Sequence, residues 1–152
     1  MALNSTFTAG QILTATQMNN LPFGIVNFVS LTSLSQTGIT TITDITGASI
    51  TFTAVANRRY LVWAHGYHNT TAANVTVNQV LRQGSTTLQQ STAVSGTANI
   101  GCFVQTIYIS TFAAGSTTLK LSCALQSGTG TISAEGGATF PYQFAIVDLG
   151  TA

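Results

Sequence analysis

The stretch Ile50-Thr51-Phe52-Thr53-Ala54-Val55-Ala56-Asn57-Arg58-Arg59-Tyr60-Leu61-Val62-Trp63-Ala64 decides the fold class. Ile50, Phe52 and Ala54 alternate with Thr51 and Thr53, the period of two that marks a half-buried strand. Ala56-Asn57-Arg58 reads as a turn. Tyr60 to Ala64 reads as a second strand, apolar at every position and therefore expected to be buried on both faces.

The same period extends in both directions. From Gly24, residues Ile25, Asn27, Val29 and Leu31 are expected on one strand face, with Val26, Phe28 and Ser30 on the other. A weaker strand is expected over Gly38–Thr43. Val75, Val77 and Leu81 alternate with Thr76 and Asn78 until Gly84-Ser85 turns the chain. Phe103, Gln105, Ile107 and Ile109 form a stripe that the pattern matches to Leu119, Leu121, Cys123 and Leu125, as a hairpin turning at Gly115-Ser116. Glycines crowd residues 128–137, as in a loop, and a last strand runs from Tyr142 to Leu149. Eight or nine short strands, no long helix and no fixed repeat predict an all-β fold. The expected architecture is a single antiparallel β-sandwich, jelly-roll-like, with a closed barrel as the alternative.

Residues 1–22 read differently and are expected to form an N-terminal arm ahead of a sandwich domain over 23–152. Thr14 and Gln17 have capping-box spacing, and the following residues make about two helical turns before Pro22. So short a helix must dock, through Leu13, Met18 and Leu21, on its own domain or on another chain. The start of the chain lacks the basic and apolar regions of a signal peptide. No apolar run approaches the ~20 residues of a spanning helix, so no membrane partner is expected.

Charge is scarce. Of 152 residues, 45% are hydrophobic and only 5% charged, with 4 Lys and Arg against 3 Asp and Glu, for a net charge of +1. Four cations cannot build a phosphate-binding face, so no nucleic-acid partner is expected. Roughly one residue in six is threonine, whose branched hydroxyl side chain favours strands. A surface of neutral hydroxyls and amides suits a protein packed against neighbours, where buried charge would cost more.

The same scarcity argues against catalysis. Cys102 and Cys123 fall on opposite faces of the expected hairpin and are read as free thiols. His65 and His68 lie three apart after a strand, project to opposite faces, and lack the cysteines or carboxylates that would complete a metal site. They are read as turn or surface residues, or as a histidine ring about an oligomer axis. No Gly-x-Ser-x-Gly elbow, paired carboxylates or phosphate cradle is present. The expectation is a protein with no catalytic residues, metal or cofactor. Arg58 and Arg59 are read either as ion-pair partners for Asp44, Glu135 or Asp148, or as a contact to an acidic protein surface. Trp63, Tyr67, His68 and Asn69 would form an aromatic and amide patch if they met at a loop end.

Phe7-Thr8-Ala9-Gly10-Gln11-Ile12-Leu13-Thr14-Ala15-Thr16-Gln17-Met18-Asn19 resembles a segment at the starts of tailed-bacteriophage virion proteins. Ala54 to Tyr60 and the ending Pro141 to Gly150 resemble such proteins as well. The resemblance implies a neutral, frequently trimeric β-sandwich assembled in the host cytoplasm and carried on the virion surface. It implies partners among virion proteins: copies of itself and, for a capsid decoration (cement) protein, the major capsid protein. Its alternative is a tail-fibre or adhesin component; a separate reading, from the expected jelly roll and the Trp63, Tyr67, His68 and Asn69 patch, is a carbohydrate-binding module touching a host surface glycan. The arm, through Phe7, Gly10, Leu13, Thr14, Met18 and Leu21, is expected to anchor the protein. Arg58, Arg59, Trp63, Tyr67, His68 and Asn69 are the candidate interface or host contacts.

Overall fold

A computed structural model describes Ala15, Met18 and residues 21–152. The expected anchors Phe7, Gly10, Leu13 and Thr14, and most of the expected helical turns, lie outside the described residues. Ten strands follow: β1 (Gly24–Leu31), β2 (Leu34–Ile39), β3 (Thr43–Ala54), β4 (Arg58–Thr70), β5 (Val75–Gln83), β6 (Thr86–Ser95), β7 (Cys102–Thr111), β8 (Gly115–Ser127), β9 (Ile132–Gly136) and β10 (Tyr142–Thr151). Every strand pairing is antiparallel.

One sheet is centred on β4. Its residues Arg59 to His68 pair with β7 along one edge. Along the other edge, β10 pairs residues 58–65 and β9 pairs residues 67–70. Outside these, β1 pairs with β10 and β2 with β9. Thus β1 with β2, and β9 with β10, each act as one long bent strand. The second sheet has the order β3-β8-β5-β6. Counted this way, eight strands form two four-stranded layers with most consecutive strands alternating between layers, a jelly-roll-like sandwich.

The core is made by alternate residues of both layers. Tyr60, Val62, Ala64, Val104, Phe144 and Ile146 face Ile50, Phe52, Leu81, Leu119 and Leu121, all 6% exposed or less. Phe52, Tyr60 and Phe112 stack at centroid distances of 5.1–5.9 Å and close one end. Fully burying each large apolar side chain contributes about 1.5–3 kcal/mol, which is what holds the layers together.

Several expectations are corrected. The second strand is Leu34–Ile39, since Gly38 has a φ of +75° that ends regular pairing within two residues. The β7–β8 hairpin does not exist: β7 belongs to the β4 sheet and β8 to the other. Phe103, Ile107 and Ile109 consequently face outward and Val104 and Thr106 inward, the reverse of the expected parity. Ile25 joins Phe28 on the outer face because a bulge between Ile25 and Asn27 shifts the register. The glycine-dense segment contains β9. Tyr60–Ala64 is buried on one face only, leaving Leu61 and Trp63 half-exposed.

Gly66 occupies an inward position of β4 where a Cβ would lie 2.2 Å from the Tyr142 ring and 2.6 Å from Gln79 Oε1. Gly66→Ala must therefore displace groups from both sheets. Thermal denaturation should register a loss of about 1–3 kcal/mol, a fall of several degrees in Tm.

Candidate functional site

Two buried polar clusters and one outer face carry the unusual chemistry. The first cluster crosses the sandwich. Tyr142 of β10, His68 of β4 and Thr106 of β7 meet Gln79 of β5 and Cys123 of β8, all 1% exposed or less. The Tyr142 hydroxyl donates to Gln79 Oε1 at 2.7 Å, and Gln79 Nε2 donates to Thr106 Oγ1 at 3.0 Å. His68 Nε2 lies 3.3 Å from the same Gln79 oxygen and His68 Nδ1 lies 3.4 Å from Cys123 Sγ. Because the amide oxygen only accepts, Nε2 carries the proton and Nδ1 accepts from the thiol.

Burial keeps this cluster neutral. It lowers His68 to about 4, against which the Gln79 hydrogen bond works weakly. It pushes Cys123 up to about 12, helped by neighbouring Cys102, and raises Tyr142 well above the usual phenol value. A neutral imidazole beside a protonated thiol is not an activated nucleophile pair. Cys102 and Cys123 are free thiols, but not because they point apart: each has the inward parity of its own sheet. Among the described residues no three His, Cys, Asp or Glu side chains gather as a metal site.

The second cluster secures the beginning of β1. Arg58 Nε and Nη2 bind Asp148 Oδ2 and Oδ1 at 2.6 and 2.9 Å, with both residues buried. Nη2 also donates to the Leu21 carbonyl at 2.6 Å, and the guanidinium lies 4.1 Å from the Phe23 ring centroid. Asp148 Oδ1 accepts from the Gly150 amide as well. The arginine thus ties the chain before β1 to the middle and last strands. Asp44, on the opposite sheet, is bound by Lys120, Ser122 and Arg82. Burial alone would raise its pKa, but the hydrogen bonds from Lys120 and Ser122 and the two cationic charges outweigh that and lower it.

These pairs engage five of the seven charged side chains, leaving Arg59 and Glu135 without an ion pair among the described residues. Both lie on the outer face of the β4 sheet, one near each end. Strand pairing arranges the residues between them in four tiers. The first is Ile25, Val147, Leu61 and Ile109, and the second is Phe28, Ala145, Trp63 and Ile107. The third is polar: Ser30, Gln143, His65 and Gln105. The fourth sets Tyr67 and Phe103 beside Glu135 and Ser35. Ile25 is 69% exposed, and Phe103, Ile107 and Ile109 are each above 50%. His65 stacks between Trp63 and Phe103 at centroid distances of 6.3 and 5.0 Å, and Tyr67 continues the aromatic row to Phe140.

The outer face of the other sheet is of a different kind. Thr51 and Thr118, Asn78 and Thr92, and Thr76 and Ser127 pair there through hydroxyls and amides at 2.8 Å. That face is mostly hydroxyl and amide, with Val94 exposed at its edge strand, whereas the β4 face is mostly apolar and crossed by one polar tier.

Of the candidate contacts, Arg59 is exposed, and Trp63, Tyr67 and Asn69 are half-exposed on β4. They share the outer side of one strand instead of a loop end. Arg58 and His68 are corrected: 3% and 0% exposed, they serve the interior. Met18 is 49% exposed and Leu21 half-buried. Sequence reasoning missed Ile107, Ile109 and Phe28 as surface groups. The available signal was an apolar residue at successive positions of both parities in β1, β4 and β7.

No family model matches the chain, and no curated protein matches it. Similar solved structures include Eiger TNF from S. frugiperda, with a TM-score of 0.44 and 11% identity over 80% of this chain and 95% of that one. Infectious bursal disease virus VP2 in a subviral particle has a TM-score of 0.46 and 11% identity, over 86% of this chain and 37% of VP2. The globular domain of zebrafish complement 1qA protein has a TM-score of 0.39 and 11% identity, over 82% and 93%. The likeness is one of general architecture; the topology stands on the strand pairing itself.

Two outcomes follow for the buried clusters. The unfolded chain takes up a proton on histidine below about pH 6.5, whereas folded His68 does so only near 4. Stability from this group is therefore complete above pH 6.5 and falls as pH drops through 4, by about 3 kcal/mol in all. Urea titrations between pH 7.5 and 4 should show this slope, and His68→Gln should flatten it. Asp148→Asn leaves the Arg58 charge buried without its carboxylate, and denaturation should record a loss of about 3–5 kcal/mol.

Proposed function

We propose that the chain is a structural protein of a tailed-bacteriophage virion. On this reading it is a capsid decoration protein that acts as a homotrimer and stabilises the shell by bridging major capsid subunits. The observation that carries the reading is the largely apolar outer face of the β4 sheet, with charge only at its two ends, on a chain with so few charges. Monomeric soluble proteins rarely leave two adjoining tiers of large apolar side chains to water, and a permanent assembly is their natural setting. The resemblance of residues 7–19, 54–60 and 141–150 to virion proteins supplies the setting. The Arg58 contacts add a mechanical element. They fasten Leu21 to the sandwich, so that a load on the preceding segment passes into β4 and β10. The role is non-catalytic, with no cofactor, and the site of action is the virion surface after assembly in the host cytoplasm.

A second reading, a tail-fibre or adhesin component, is favoured by the row Trp63, His65, Phe103 and Tyr67. Half-exposed rings in line make a stacking platform for sugar faces. Quantitative mass spectrometry of purified particles separates the two. Hundreds of copies, near-stoichiometric with the major capsid protein, are expected for decoration. A few to a few tens would assign the chain to the tail, and absence from particles would overturn both. Removal of residues 1–22 should leave a folded sandwich that no longer joins particles.

A further inference from the structure

We propose that copies of this chain associate through the outer face of the β4 sheet with their strands running in the same direction, so that equal tiers meet. The inference deepens the self-assembly in the reading above and depends on the virion setting for nothing else.

The order of the tiers selects the partner. A matching surface must offer apolar, apolar, polar and aromatic groups at the roughly 6.6 Å spacing of alternate strand residues. A second copy with parallel strands supplies that sequence by symmetry. Turned end for end, the copy that sets Arg59 beside Glu135 would lay the first tier against the third. Gln105 and Gln143 would then be buried on Leu61 and Ile109, with their amides unpaired. In the single chain the side chains of His65, Gln105 and Gln143 have no hydrogen-bond partner among the described residues. Equal tiers let them complete one another across the interface.

Equal rows set Arg59 against Arg59 and Glu135 against Glu135, a repulsion that solvent screens because both pairs lie at the ends of the face. Between Arg59 and Glu135 the face holds no charge over roughly 26 Å, so both charges fall on a solvated rim around an apolar centre. A partner of one sign would gain at one end and lose at the other. Counting the Arg59 row with the four tiers, the face spans about 500 Å² in projection, which a ring divides between two neighbours. The most exposed apolar groups stand on the two outermost strands, Ile25 on β1 and Ile107 and Ile109 on β7. A ring needs that distribution, because each copy shows one side to each neighbour. His65, on the central strand, is then nearest the axis.

Sedimentation equilibrium of the full chain tests the proposal without virions. A discrete oligomer is expected. The double substitution Ile107→Glu and Ile109→Glu should weaken it by roughly a hundredfold or more while far-UV circular dichroism and cooperative melting persist. Val94→Glu, at an exposed site on the other sheet, should leave the mass unchanged. Should the double variant fail to fold, His65→Cys with copper-phenanthroline as oxidant serves instead, and copies should cross-link through that residue. A monomer at every concentration, an oligomer indifferent to the glutamates, or an oligomer without the cross-link would overturn the proposal. Particle copy number is read independently, so either conclusion can fail alone.

Discussion

The two sheets are locked to each other by one shared acceptor, the Gln79 side-chain oxygen. Tyr142 and His68 converge on it from one layer, and its amide nitrogen returns a bond to Thr106. Apolar contacts alone hold sheets together without specifying how they slide, whereas a buried hydrogen-bond network is satisfied in a single register. Everything nearby adapts to this point. Gly66 lacks a side chain where the Tyr142 ring and Gln79 need the space, and His68 remains neutral because burial deprives its charged form of water. The cluster uses a histidine, a thiol and a phenol for cohesion.

With the interior fixed, β4 has a second duty on its other side. Its inward residues Tyr60, Val62 and Ala64 build the core, and its outward residues Leu61, Trp63, His65 and Tyr67 form the middle of an apolar and aromatic face. The remaining sheet solves the problem of water differently, with threonine and serine pairs and one ion cluster at Asp44. So the sparse charge is not spread evenly. Five charged side chains close internal contacts, and the two left over bracket the β4 face. An asymmetry of this sort between two sheets of one sandwich is a statement about what each meets.

Much of the fold was legible. Ile50, Phe52 and Ala54, and Val75 and Val77, lie where their alternation placed them, because one face of each strand is polar and the other is not, and the last strand covers Tyr142 to Leu149 as expected. The failures share a cause. In β7 the bulkier apolar residues, Phe103, Ile107 and Ile109, point outward, so parity judged on size selected the wrong face. The same error created the hairpin with β8, since two apolar stripes separated by a glycine turn look like partners whether or not they occupy one sheet. In β1 a single bulged residue moved Ile25 across the sheet. The surface reading of His68 failed because nothing local announces that Gln79 and Cys123, far along the chain, supply its partners.

The amino-acid sequence by itself determined that the chain is all-β, that most of its strands are half-buried, and that charge plays almost no part in its surface. Those properties depend on periodicity and composition, which are local quantities. Which strands share a sheet, which of two apolar faces turns inward, and which arginine is buried were decided only in the tertiary structure. Arg58 and Arg59 are adjacent and chemically identical. They differ because β4 alternates, sending one to Asp148 in the interior and the other to the rim of the outer face. Alternation assigns neighbours to opposite sides, but only the packing of the second sheet defines which side is inside.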